Sequence, residues 1–227
     1  MPVPGQVLAM GGGGFMMDPE SPFDDHLLSL SPKRRPRVCF VPTPAGDRDP
    51  VIAAFFEAFT ARHCEPSCLR LWGTPERPAD RLADQDVIYV SGGNTANALA
   101  LWRLHGVDRA LRDAWNRGAV LGGVSAGANC WFESCVTDSF GPQLGPLADG
   151  LGLLPGSFCP HYDGEARRRP VYTELVANGF PAGYAADDGA ALHFVRTELR
   201  EVVASRDGAF AYRVEPGSET PLEPRRL

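Results

Sequence analysis

The 227-residue chain has no run of eighteen or more apolar residues, so no transmembrane helix is expected. Its first residues, Met1-Pro2-Val3-Pro4-Gly5, lack the basic and apolar stretches of a secretory leader, and a cytoplasmic location is the default expectation. Positive charge is also in short supply. Lys and Arg number 22 against 28 Asp and Glu, and the resulting net charge of −6 argues against a general nucleic-acid binder. Cysteines are few, at six, and the C-x3-C pair Cys64 and Cys68 has no second Cys or His pair at zinc-ligand spacing. Free, mostly buried thiols are therefore expected, with no metal and no cofactor. The run Gly11-Gly12-Gly13-Gly14 follows a predicted strand, but Met16 stands where a dinucleotide fingerprint needs its third glycine, and no Walker sequence occurs. A nucleotide-binding module is disfavoured on those grounds. Neither an internal repeat nor a convincing linker appears, so a single domain over 1–227 is expected.

What the chain does contain is an alternation of short β-branched runs with longer amphipathic stretches. That pattern predicts βα units around a parallel sheet. Strands are predicted at Gln6–Met10, 37–42, 69–72, 86–90 and 119–124. Helices are predicted at 21–30, where Pro22 follows the cap Ser21, and at 50–63, where Val51, Ala54, Phe55, Ala58 and Phe59 recur at three and four residues. Further helices are predicted at 95–104, 108–117 and 126–132. The Gly- and Pro-rich segment 140–156 reads as a long loop, and the Pro-rich polar tail from about 215 is expected to fray. Between them, strands are predicted near 157–160, 184–186, Ala190–Val195, 201–205 and 209–214. The architecture expected is α/β, a three-layer sandwich with a mostly parallel central sheet and helices on both faces.

One motif carries chemistry. Gly123-Val124-Ser125-Ala126-Gly127 lies between an apolar strand and a helix. A serine on such a turn is forced into a strained conformation that exposes its hydroxyl, and small neighbours let the chain turn and pack. The N–H after the serine, at a helix N-terminus, points toward a developing oxyanion. The competing reading is a Gly/Ala-rich turn required only for close packing. A serine hydroxyl needs a base near neutral pH. Of the five histidines, His161 in Cys159-Pro160-His161-Tyr162-Asp163 is favoured, at the end of a strand-like segment after a long loop. His26, His63 and His105 read as surface or packing residues, and His193 as a satisfied strand histidine. A carboxylate should orient the base. Glu133, Asp138, Asp163, Asp187 and Asp188 are all candidates at this level, and composition does not choose among them.

The set Val90-Ser91-Gly92-Gly93-Asn94-Thr95, Gly123 to Asn129, Pro160-His161 and Asp188-Gly189-Ala190-Ala191-Leu192 resembles the peptidase E and cyanophycinase family of serine peptidases in order and spacing. The resemblance runs from the glycine-rich first turn to about residue 195. It implies a class I glutamine amidotransferase-like fold, with Ser125 as nucleophile, His161 as base and Asp188 as the acid. It further implies an oxyanion hole from the backbone N–H groups of Gly93 and Ala126. Asn94 and Arg167 would contact the substrate, Arg167 by pairing with a substrate carboxylate. A small peptide substrate and a possible homodimer follow from the same resemblance, with no nucleic-acid or membrane partner. Two departures bear on specificity: an aspartate stands where the family usually has glutamate, and only Tyr162-Asp163 separates His161 from Gly164-Glu165, where aspartyl-specific members carry an insertion. The missing insertion argues against strict cleavage after an N-terminal aspartate, and the two departures together motivate a member of altered activity. The alternatives are a family member of altered or lost activity with a binding role, and a hydrolase of aspartyl polymers.

Overall fold

The structure is a computed structural model that describes residues 3–73 and 77–227. In chain order the first half comprises β1 (Gln6–Met10), α1 (Pro22–Ser29), β2 (Arg37–Val41), α2 (Asp49–Thr60), β3 (Glu65–Cys68), α3 (Pro78–Ala83), β4 (Val87–Val90), α4 (Thr95–His105), α5 (Val107–Asn116) and β5 (Val120–Val124). The second half comprises α6 (Ala126–Asn129), β6 (Phe132–Thr137), β7 (Gly145–Leu147), β8 (Leu154–Cys159), α7 (Arg168–Ala177), β9 (Gly183–Ala186), β10 (Ala190–Val195), β11 (Glu198–Ala204), β12 (Ala211–Glu215), β13 (Ser218–Leu222) and β14 (Arg225–Arg226).

Eight strands form a sheet in the order β14-β11-β10-β1-β5-β4-β2-β3. From β1 to β3 every neighbour is parallel, whereas β10 runs antiparallel to both β1 and β11. Strands buried on both faces need apolar residues at successive positions, and β4 (Val-Ile-Tyr-Val) is buried throughout. Alternate residues feed two cores. Leu8, Phe40 and Tyr89 pack with Phe23 and Leu27 of α1 and with Phe55 and Phe59 of α2. Val7, Cys39 and Ile88 pack on the other face with Trp102 of α4 and Leu111 and Trp115 of α5. The α/β layering read from the sequence is thus present. A second, six-stranded sheet, β13-β12-β9-β8-β6-β7, was not anticipated. Phe132 and Tyr184 from this sheet meet Phe194 of β10 edge-on, with ring centroids 5.9 and 5.4 Å apart. Its opposite face buries Tyr172 and Val176 of α7.

Several expected boundaries are corrected. The third strand lies at Glu65–Cys68 and not at 69–72, because the Asp47 carboxylate takes the N–H groups of Leu71 and Trp72 (2.5 and 2.9 Å) that a ladder would need. The helix expected over 126–132 is a single turn. Asn129, at its end, is buried and donates through Nδ2 to Val136 O of β6. The presumed loop 140–156 contains β7 and the start of β8. The tail does not fray: β13 pairs with β12, and β14 pairs with β11. Pro221 is accommodated there because β13 is an edge strand. None of the six cysteines forms a disulfide, and five are buried.

Candidate active site

The strand-to-helix turn is built by close backbone approach. A Cβ on Gly123 would stand 2.2 Å from Gly127 O, and one on Gly127 would stand 2.4 Å from Val90 O. Both flanking glycines are therefore demanded by packing of α6 against β5 and β4. Between them Ser125 takes φ +56°, ψ −112°, a strained conformation for a residue with a Cβ. Its N–H is held by Met10 O at 3.0 Å, which fixes the turn to the end of β1. Ser125 is half-buried, and among the described residues its Oγ makes no hydrogen bond.

Beside it runs the Gly92-Gly93 turn. A Cβ on Gly92 would lie 3.5 Å from Ser125 Cβ. Gly93 adopts φ +136°, and Pro44 O approaches so closely that a Cβ there would stand 2.0 Å away. Among the described residues neither Gly93 N–H nor Ala126 N–H has a hydrogen-bond partner. Two unpaired donors thus flank the serine.

His161 and Asp188 are brought together from different elements. His161 follows β8 with φ +53°, and its Nδ1 lies 2.6 Å from Asp188 Oδ1. That hydrogen bond holds the Asp188 carboxyl below its ordinary range, with the imidazole's proximity and Arg206 adding to the effect against partial burial. The carboxylate sits in a slot between glycines. A Cβ on Gly12 would stand 1.9 Å from Oδ1 and 3.0 Å from His161 Nδ1, and one on Gly164 would stand 2.1 Å from Oδ2. The Asp188 main chain is anchored as well: its N–H donates to Asp163 Oδ1 (2.8 Å) and its carbonyl accepts from Arg206 Nε (2.8 Å). Arg206 closes the network on the second Asp163 oxygen. Gly12, Gly164 and Arg206 escaped the sequence reading because their roles arise only from tertiary proximity. Ser125 connects to this pair through β1, whose Met10 O holds the serine and whose continuation at Gly12 bridges Asp188. His161 Nε2, like Ser125 Oγ, has no hydrogen-bond partner among the described residues, so the serine and histidine side chains are not in hydrogen-bond contact.

Two of the other candidate carboxylates, Asp187 and Glu133, are occupied elsewhere. Asp187 accepts from Phe210 N–H at 2.9 Å, and burial pushes its carboxyl up to about 6. Glu133 accepts from Gly156 N–H. Asn94 caps α4, its Oδ1 accepting from Asn97 N–H at 2.8 Å and its Nδ2 donating to Ser139 O at 3.0 Å. The basic run 167–169 divides, with Arg168 buried and Arg167 and Arg169 exposed. Arg168 is buried and bonds Glu165 and Val136 O, while Arg169 pairs with Glu219 and lies over the rings of Tyr162 and Tyr212. Arg167 is exposed and donates through Nη2 to Pro142 O at 2.9 Å.

A strained serine between a strand and a helix is a turn that exposes a hydroxyl at the end of a sheet. The sequence model of Peptidase family S51 matches residues 7–202, and the chain belongs to that family. It is 51% identical over 212 residues to "Uncharacterized peptidase YgaJ" of Bacillus subtilis, covering 92% of this chain and 91% of that one. To the peptidase E of Actinobacillus pleuropneumoniae it is 31% identical over 137 residues, covering 56% and 58% of the two chains. Two solved structures share the fold at 17% identity. They are a peptidase from an acI-B1 Actinobacterium (TM-score 0.74, covering 97% and 95%) and a putative peptidase E from Listeria monocytogenes EGD-e (0.65, covering 90% and 100%). The chain is thus a peptidase-family hydrolase, for which peptides are the substrate class. None of the described helices is long and apolar enough to cross a membrane.

Proposed function

We propose that this protein is a serine-type peptidase that hydrolyses small peptides through an acyl-enzyme on Ser125. The observation that carries the reading is the 2.6 Å contact between His161 Nδ1 and Asp188 Oδ1. With the carboxylate accepting from Nδ1–H, the lone pair resides on Nε2, the atom required to take the Ser125 proton. The contact between Oγ and Nε2 forms on substrate binding, as catalytic hydrogen bonds commonly tighten in the substrate complex. Oγ then bonds to the scissile carbonyl carbon, and the oxyanion is received by the N–H groups of Gly93 and Ala126. His161 passes the proton to the departing amine as the C–N bond breaks. Water, deprotonated by the same imidazole, releases the acid product and restores the Ser125 hydroxyl.

For specificity, Arg167 is the available cation, its remaining guanidinium donors suiting a carboxylate of the substrate. Asn94 acts indirectly, by capping α4 and holding the chain at Ser139. The short connection from His161 to Gly164 leaves that side of the site with less wall, so preference extends beyond dipeptides with an N-terminal aspartate. A dipeptide and tripeptide library incubated with wild type and Ser125→Ala tests the proposal. Turnover of several sequences by wild type, abolished in the variant, is expected. Turnover that survives in Ser125→Ala, or no peptide cleaved by the folded wild type, counts against it, and cleavage confined to Asp-Xaa would reject the relaxed specificity.

A further inference from the structure

A second cluster of chemically able side chains lies on the α1-facing side of the large sheet. His193 and Glu201 are cross-strand partners on β10 and β11, and His26 comes down onto them from α1. One nitrogen of each imidazole and one Glu201 oxygen lie within 4.8 Å of one another. His26 Nε2 and His193 Nδ1 stand 3.9 and 3.7 Å from Glu201 Oε1, and the two rings are close to perpendicular at 87°. The imidazoles are enclosed, with side chains 10% and 6% exposed. Neither of the two facing nitrogens has a hydrogen-bond partner.

The proton positions follow from the neighbours. Gln6 Nε2 donates to Leu30 O at 3.1 Å, so Gln6 Oε1 is the acceptor that faces His193 Nε2 at 2.9 Å. His193 Nε2 must then carry the ring hydrogen, which leaves a lone pair on Nδ1 directed at the cluster. Glu201 Oε2 accepts from Arg225 Nε at 2.9 Å, and Oε1 is left facing the histidines. The lone pairs of His193 Nδ1 and Glu201 Oε1 therefore face one another in an enclosed place with His26 Nε2 beside them, which is unfavourable unless a cation or a proton donor lies between them.

We propose that His26, His193 and Glu201 form a binding site for a divalent transition metal of the zinc type, with a fourth position open to water. Two imidazoles and a carboxylate are a donor set that zinc accepts readily. Bonds of about 2.0–2.1 Å imply ligand separations of about 3.3 Å in a tetrahedron, so modest side-chain shifts close the observed gaps. The outer shell is already in place, with Gln6 orienting His193 and Arg225 orienting Glu201. The site shares no residue with the proposed peptidase centre: His193 pairs with Leu8 of β1, whereas Ser125 is tethered to Met10 O two residues further along the strand. Its effect is to tie α1, near the N-terminus, to the β10–β11 pair.

The test is calorimetric titration of the EDTA-treated, tag-free full-length protein with Zn²⁺ alone, with Co²⁺ absorption as a report on geometry. The wild type is expected to bind one equivalent of Zn²⁺, to melt at higher temperature with it, and to give the intense visible bands of four-coordinate Co²⁺. His26→Asn and Glu201→Gln, each checked for folding by circular dichroism, should each weaken Zn²⁺ binding by about tenfold or more, while His63→Asn leaves it unchanged. A folded wild type that binds no stoichiometric Zn²⁺ would overturn the proposal, water then being the group that bridges the cluster. Undiminished binding in both ligand variants would overturn it equally, by placing the ion elsewhere.

Discussion

Gly12→Ala probes the geometry of the histidine–carboxylate pair without touching a chemical group. The new methyl would stand 1.9 Å from Asp188 Oδ1, against the 3.0 Å below which real Cβ atoms essentially never approach another atom. The carboxylate or strand must therefore give way by about 1 Å. Retreat of the carboxylate is blocked, because Gly164 closes on Oδ2 so tightly that a Cβ there would be 2.1 Å away. The displaced oxygen is the one that bonds His161 Nδ1 at 2.6 Å, so the imidazole loses its orientation. A misplacement of that size costs roughly 100-fold in rate, or about 2.7 kcal/mol of transition-state stabilisation. The backbone at Gly12 is not in the left-handed region, so alanine adds no strain of its own there. The assay is kcat/KM on the most readily cleaved dipeptide, beside thermal unfolding. Gly145→Ala serves as control, since nothing lies within 4 Å of a Cβ at that position. A folded Gly12→Ala protein with kcat/KM within about threefold of wild type would refute the reasoning, because a 1 Å shift at a working catalytic pair should cost far more than that.

Asp188→Asn keeps the shape of the side chain but removes its charge and lets an amide donate to Nδ1. The wrong imidazole tautomer should lower kcat by up to about 10⁴ with little change in melting temperature, as steady-state kinetics and calorimetry will show. Arg206→Ala frees the Asp188 carbonyl and one Asp163 oxygen; a fall in kcat of about tenfold in steady-state kinetics is expected, with KM little changed. Stability should depend on pH through Asp24, which is fully buried and whose carboxyl burial pushes up to about 7 despite Arg62 nearby. The folded state then binds this proton more tightly than the unfolded chain. Stability falls as pH rises from about 4 to about 7, by about 4 kcal/mol in total for this group. Asp24→Asn should flatten that dependence and raise stability above pH 7 in urea titrations; an unaltered slope contradicts the assignment.

The legible parts of the molecule are those written locally. Of the parallel strands, β1, β2, β4 and β5 announce themselves as short apolar runs, whereas Glu-Pro-Ser-Cys of β3 does not, and the Ser125 turn is announced by its two flanking glycines. The one-turn α6 was overextended because Cys130 to Thr137 is apolar enough for either state, and Asn129 ends the helix by bonding across to β6. The C-terminal strands were missed since exposed edge strands tolerate polar residues and proline. Asn94 stood beside the candidate site in sequence, and its amide proves to be engaged in capping a helix. Gly12, Gly164 and Arg206 meet Asp188 only once the sheet is assembled, and the same holds for His26 and His193, each unremarkable alone.

The central claim is that Ser125 is an activated nucleophile served by His161. Reaction with a fluorophosphonate, followed by intact-mass measurement and peptide mapping, tests it directly. The account predicts a single adduct on Ser125 in the wild type, formed far more slowly in His161→Ala and absent in Ser125→Ala. An adduct on another residue, or labelling as fast without His161 as with it, would contradict it.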